Sequence, residues 1–314
     1  GGYRTADQLR AEIQDIRGRT SAPFGVNLFV PADGDVDRAA IEGYIESLRP
    51  EAVRLGVALG EARSDDDGWA AKLEVVREER PAVLSFTFGC PPHETVATLR
   101  AAGIEVWATA TDVAEARAAR DAGVDAIVLQ GIEAGAHRAS WLDRVDAEGL
   151  GVVPLARIVA SEIDLPLVAA GGIGDGAALA AVLAAGAAAA QLGTAFLLAD
   201  EAGTNEAHRR ALARDTPTAL TRAFTGRLAR GLVNRFMREH GAQAPVGYPY
   251  IHHVTAPLRA EARRRGDIEV FNLWAGQAHR LAREAPAGEI VRSLADDAQR
   301  AIADARRRLT RDGS

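Results

Sequence analysis

A parallel α/β fold of the TIM (β/α)8-barrel type is what this 314-residue sequence predicts. Three observations carry the prediction. Short apolar runs alternate with polar-faced helical segments, the pattern of a parallel sheet covered by helices. No glycine fingerprint follows the first strand, as an open dinucleotide-binding sheet requires. The glycines gather instead after the last two strands, in Gly171-Gly172-Ile173-Gly174 and Gly193-Thr194, where barrels bind phosphate.

Strands are expected, in order, over 24–30, 82–88, 105–109, 126–130, 167–170 and 188–192. Each is followed by Gly, Pro or a polar cluster, which is loop chemistry. The run 52–57 is a weaker seventh candidate. Helical patterns occupy 37–48, 69–79, 93–102, 112–122, 151–161 and 175–185, with Asp112 and Asp175 placed as N-caps. Beyond about residue 200 helices are expected at 203–214, 226–240, 256–265, 270–284 and 287–309, interrupted by a Pro/aromatic loop at 245–250. Ile290, Leu294, Ala298 and Ile302 recur at helical spacing and predict a docked terminal helix. The expected organisation is a barrel over 1–214 with a helical appendage over 215–314 packed on it.

Composition narrows the function. The net charge of −6 argues against a dedicated nucleic-acid surface. The uncharged stretch 176–199 is broken by Gly186, Gln191, Gly193 and Thr194, so it reads as a buried helix and strand, with no membrane role. No signal peptide is visible, and cytoplasmic localisation is expected. Nothing in the chain specifies an oligomeric state. One cysteine, Cys90, excludes an internal disulfide and a thiolate metal cluster, and a packing role is expected for it. Lys72, the only lysine, lies in a polar helical segment, which argues against Schiff-base chemistry. The seven histidines form no metal-binding pattern, and His252-His253 reads as surface or packing.

Three segments could carry chemistry. In 128–138 an apolar strand runs into a glycine-bearing loop that presents His137, flanked by Gly131, Ala134, Gly135 and Ala136. A histidine there can exchange protons near neutral pH, and small neighbours let a ligand approach the backbone. The two glycine turns after 170 and 192 offer successive backbone N–H groups to a phosphate. Asn27 interrupts an apolar strand, where a buried amide needs either a local partner or a ligand edge. A phosphate site, a histidine, buried amides and no metal suit a phosphate-bearing organic cofactor, and Asn27 and Gln130 suit the polar edge of a flavin.

These motifs make the chain similar to the nitronate monooxygenases, formerly 2-nitropropane dioxygenases, which are FMN-dependent TIM barrels. The likeness runs through PFGVNLFVP (23–31), SFTFGCPP (85–92), VLQGIEAGAHR (128–138), VAAGGI (168–173), QLGTAF (191–196), TRAFTGRLARGLVNRF (221–236), YP (248–249) and LWAGQ (273–277). It implies FMN contacts from Asn27, Gln130, Gly135, Gly171, Gly172, Gln191, Leu192, Gly193 and Thr194. Gly172 and Gly193-Thr194 would hold the phosphate. His137 becomes the catalytic residue, taking the α-proton of a nitroalkane or hydrogen-bonding the nitro group of a nitronate. The implied partners are a small nitronate or nitroalkane and O2, and the products a carbonyl compound and nitrite.

The resemblance also makes 33–80 an excursion, so that 52–57 is no barrel strand and the six strands are strands 3 to 8. It places Gly1-Gly2-Tyr3 at the exit of strand 2, with strands 1 and 2 expected to be absent. The family loop usually reads EAGGH, so Ala136 stands where a glycine is usual and is strained if φ is positive there. Flavin enoyl-acyl-carrier-protein reductases and NAD(P)H:quinone reductases share this kind of barrel and stay open as alternatives, as does an inactive or truncated member.

Overall fold

A computed structural model describes residues 1–31, 36–144 and 149–311. All six expected strands are present: β1 (Gly25–Phe29), β2 (Val83–Thr87), β3 (Glu105–Ala110), β4 (Ala126–Gln130), and, after the two-residue β5 (Ala136–His137), β6 (Leu167–Ala170) and β7 (Ala189–Gln191). They form one parallel sheet in the order β1-β2-β3-β4-β6-β7. Pairings such as Phe29 with Thr87, Gln130 with Ala170 and Ala170 with Gln191 keep the carboxyl ends level. The chain ends that carry function in a parallel barrel therefore meet at one edge.

Helices connect the strands as the periodicity predicts. α1 (Ala6–Arg19) opens the chain, and α2 (Arg38–Leu55) and α3 (Trp69–Glu79) fill the excursion between β1 and β2. α4 (His93–Ala101), α5 (Val113–Ala122), α6 (Val152–Ala160) and α7 (Gly176–Ala184) follow the later strands. Asp112 and Asp175 are the N-caps of α5 and α7, accepting from Glu115 N and Ala178 N. α1 escaped the sequence reading although its signal was local: Thr5 and Gln8 form a reciprocal capping box. The run 52–57 is no strand. It closes α2, where Gly56 takes the left-handed C-cap conformation at φ +67°.

The carboxyl-terminal third differs from the expected run of helices. α8 (Glu206–Leu212), α10 (Tyr250–Arg265) and α11 (Ala287–Arg311) are helical as expected. Within 226–240 only α9 (Arg235–His240) is helical, because β8 (Thr218–Thr221) and β9 (Ala229–Leu232) form an antiparallel pair ahead of it. Gly231 allows the close pass: a Cβ there would lie 2.8 Å from the Leu273 carbonyl. The segment 270–284 is not a long helix either. Leu273 O accepts from Leu232 N and Trp274 bridges to Gly231, so this stretch spends its backbone beside β9. β5 pairs with the same strand, giving a second sheet ordered β5-β9-β8.

Two cores result. One lies between the parallel sheet and its helices and includes Leu9, Leu28, Phe86 and Leu129. The other joins Tyr44 and Leu48 of α2 to Phe224, Phe236, Ile251, Leu258 and Phe271. It therefore draws on chain from both sides of residue 214. Among the described residues no helix is long and apolar enough to cross a membrane.

Lys72 is the surprise of the core. Its helical segment reads as polar, yet Lys72 is 1 % exposed and its Nζ lies 2.7 Å from Asp67 Oδ2. Asp67 also accepts the Tyr3 N–H, so the pair ties α3 to the loop before it and to the chain's first turn. Lys72→Met is expected to cost about 2 kcal/mol, because it strands a largely buried carboxylate that keeps one other donor among the described residues. Urea unfolding checks the figure; an unchanged midpoint would show that the pair contributes nothing net.

Candidate active site

A cavity of about 410 Å³ opens at the carboxyl ends of β4, β6 and β7. Gln130 lines it from β4, Gly135 from the loop that follows, Ala136 from β5, Gly171 and Gly172 from beyond β6, and Gln191 to Thr194 from β7 and the 3₁₀ turn after it. Eight of the nine expected cofactor contacts thus line one cavity. Gly171 and Gly172 have φ of +100° and +71°, a turn in which glycine alone is unstrained. A Cβ at Gly171 would stand 2.9 Å from Ala134 N, and one at Gly135 2.5 Å from Gly276 N. Gly193 is different: a Cβ there would meet nothing within 4 Å. The N–H groups of Gly172 and Gly193 have no intramolecular acceptor among the described residues. Free amides in a glycine cradle are what an anion takes up without a side-chain cation, so the residues fit a phosphate.

His137 sits beside this cavity, next in chain to Ala136 and with its ring 5.6 Å from that of Trp274, which also lines the cavity. Pairing of His137 with Ala229 on β9 fixes its backbone. Gln130 clamps the loop: its Nε2 donates to His137 O (3.0 Å) and its Oε1 accepts from Ala139 N (2.9 Å). The buried Arg138 donates to Gln130 O and Thr111 O, and Arg227 donates to the carbonyls of Arg138 and Ser140. The ring faces Phe88, Tyr248 and Trp274 at 5.6–6.0 Å between centroids. Arg227 lies 3.8 Å above one of these three rings, that of Phe88. Burial, and then the charges of Arg227, His252 and Arg259, push the His137 pKa down to about 3. The ring is therefore neutral throughout the physiological range.

Two residues at the site hold positive φ without being glycine, Phe88 at +73° and Ala136 at +65°. Such strain persists where the surroundings over-determine it. At Ala136 the positive φ meets the condition under which an alanine in place of the usual glycine is strained. Ala136→Gly is expected to stabilise the fold by up to about 1 kcal/mol, since about 1–2 kcal/mol of left-handed strain outweighs the chain entropy glycine adds to the unfolded state. A lower midpoint in urea would refute the strain.

The structure separates Asn27 from the rest. It is not among the residues lining the cavity; its Nδ2 donates to Ser85 Oγ and Thr87 Oγ1, both at 2.9 Å. Gln130 is in place, but both ends of its amide are spent on the histidine loop. Cys90 packs against the first core, and burial pushes its thiol up to about 12, so it is a poor nucleophile. His253 bonds Asp65 (2.7 Å), and His252 stacks on Tyr3 at 4.5 Å.

Trp274, Arg227, Phe88, Tyr248 and Thr225 were not singled out from sequence. All five lie in the segments SFTFGCPP, TRAFTGRLARGLVNRF, YP and LWAGQ, which carry the resemblance, and that was the available signal.

A family model described as nitronate monooxygenase matches residues 1–297. The nitronate monooxygenase of Pseudomonas aeruginosa is 40 % identical over 301 residues, covering 93 % of this chain and 86 % of that protein. That of Paraburkholderia phytofirmans is 39 % identical over 310 residues, covering 96 % and 85 %. Among solved structures, nitroalkane oxidase from Streptomyces ansochromogenes superposes with a TM-score of 0.94 at 49 % identity, covering 96 % of this chain and 88 % of that one. FabK from Thermotoga maritima is similar at a TM-score of 0.69 and 25 % identity, covering 97 % and 85 %.

Proposed function

The chain belongs to the nitronate monooxygenase family, and we propose that it oxidises alkyl nitronates, or the nitroalkanes that give rise to them, with O2 to a carbonyl compound and nitrite, using bound FMN. One observation carries the reading: a neutral His137, walled by aromatic rings, stands beside a cavity whose far wall is a glycine cradle with free N–H groups. The cradle suits a single phosphate, which favours FMN among flavins.

Gly172, Gly193 and Thr194 would hold the phosphate, and Gly135, Gly171, Gln191 and Leu192 would line the remainder of the cofactor. Asn27, whose Oδ1 has no partner among the described residues, is the proposed contact from β1. Bound flavin supplies the electron acceptor that the protein's own side chains lack. The protein's part is positional and electrostatic. Gln130, Arg138 and Arg227 fix the His137 loop, and Phe88, Tyr248 and Trp274 keep water from the ring. Arg227 and Arg259 give this side of the site a positive field, which suits an anionic nitronate.

The test is flavin content of the purified protein and nitrite released in air from a small alkyl nitronate. Bound FMN with stoichiometric nitrite is the expected result. Flavin without nitrite, or rapid anaerobic bleaching of the flavin by NAD(P)H, would reject the activity in favour of a reductase.

A further inference from the structure

Among the described residues His137 has one hydrogen-bond partner for its ring, and that partner comes from outside its own loop. Thr225 Oγ1 lies 2.9 Å from Nε2. Thr225 is 2 % exposed and sits in the tight connection between β8 and β9, the two strands whose sheet also fixes the His137 backbone. No carboxylate bonds the ring among the described residues, so the arrangement is not a carboxylate–histidine dyad of the kind that builds up an imidazolium.

We propose that Thr225 is a positioning residue: its hydroxyl donates to His137 Nε2, sets the ring as the Nδ1–H tautomer, and leaves Nδ1–H as the donor for a nitro oxygen of the substrate. The hydroxyl has a single proton and two nearby acceptors, Nε2 at 2.9 Å and Arg227 O at 3.3 Å. Given to Nε2 it makes the shorter of the two bonds, whereas given to Arg227 O it would require Nε2–H to donate to Oγ1, the opposite tautomer, which the experiment below separates. The oxygen's lone pairs remain for Arg227 N, which donates to it at 3.3 Å. The polar chain then runs in one direction, from Arg227 N–H through the Thr225 hydroxyl to Nε2. Nδ1 has no protein partner among the described residues, so it is the ring atom left for a ligand.

The surroundings agree with a donor rather than a base. Arg227 and Arg259 oppose a second proton on the ring, whereas a neutral Nδ1–H costs nothing in that field. An anionic nitronate arrives already deprotonated and needs a donor, not a base. The proposal thus selects between the two roles open to His137, and it rests on the functional reading above for the identity of the ligand.

The experiment is a two-dimensional ¹⁵N–¹H correlation of the imidazole signals in the wild-type protein, in Thr225→Val and in Thr225→Ser. The His137 signals are assigned by their loss in His137→Ala. The wild type and Thr225→Ser are expected to show Nδ1 protonated and Nε2 unprotonated. Thr225→Val is expected to shift the ring toward the Nε2–H form. With a nitronate as substrate, Thr225→Val should lower kcat/KM about tenfold or more, as loss of an orienting partner does, and Thr225→Ser should restore it. A wild-type ring in the Nε2–H form, or a tautomer unmoved by Thr225→Val, overturns the proposal. Absence of nitrite from the wild type would instead strike the functional reading, and the ring spectrum still reports on Thr225.

Discussion

His137→Ala is expected to bind flavin as the wild type does and to release nitrite about 10²–10³-fold more slowly, the usual loss when a donor to developing or bound anionic charge is removed from a desolvated site. Flavin retention follows from the geometry: the glycine cradle lies on β6, β7 and their loops, while the His137 side chain points among Phe88, Tyr248 and Trp274. The pH profile sharpens the prediction. Because its pKa is lowered to about 3, the His137 ring does not change charge between pH 5 and 9, and no limb in kcat/KM should trace to it there. An acid limb centred near 6 that disappears in His137→Ala would show a ring that titrates like an ordinary imidazole, contrary to its burial beside Arg227 and Arg259. Turnover left intact by the substitution would remove His137 from the chemistry altogether.

The parallel sheet was legible because its signals are local. Each strand is an apolar run closed by a breaker, and Asp112 and Asp175 announce their helices by capping chemistry that three residues suffice to create. The glycine turns were legible for the same reason. What escaped is long-range. A stretch such as 228–233 is apolar enough for either a strand or a helix, and only its neighbours decide: β5 on one side, β8 on the other and the Leu273 carbonyl across Gly231. Lys72 likewise looked solvated because Asp67, which lets it be buried, is defined by a fold and not by periodicity. Gln130 shows the limit at the site itself. Its residue type suited a ligand edge, but its two amide ends are consumed by His137 O and Ala139 N, contacts that exist only once β5 has turned back toward β9.

Gly193→Asp should abolish flavin binding while leaving the fold intact, and the contrast between the two readouts is what makes it informative. Gly193 has φ −114°, a value any L-residue adopts, and a Cβ there meets no atom within 4 Å. Neither backbone strain nor overpacking stands against a short side chain. Gly171 lacks both freedoms, with φ +100° and Ala134 N 2.9 Å from its would-be Cβ, so its substitution would confuse loss of fold with loss of ligand. At position 193 a carboxylate enters the open space beside the free amides proposed to hold the phosphate. It competes for those donors and repels a dianion at short range. In a partly desolvated site that repulsion amounts to about 4 kcal/mol for each unit of phosphate charge, a thousandfold or more in affinity. Gly193→Ala adds the same Cβ without charge and is expected to keep FMN. The measurement is FMN titration by fluorescence quenching alongside urea unfolding of the apo proteins. Equal FMN affinity in the Asp and Ala variants would move the phosphate away from the β7 turn, whereas loss in the Asp variant alone, at unchanged apo stability, identifies the turn as the anion cradle.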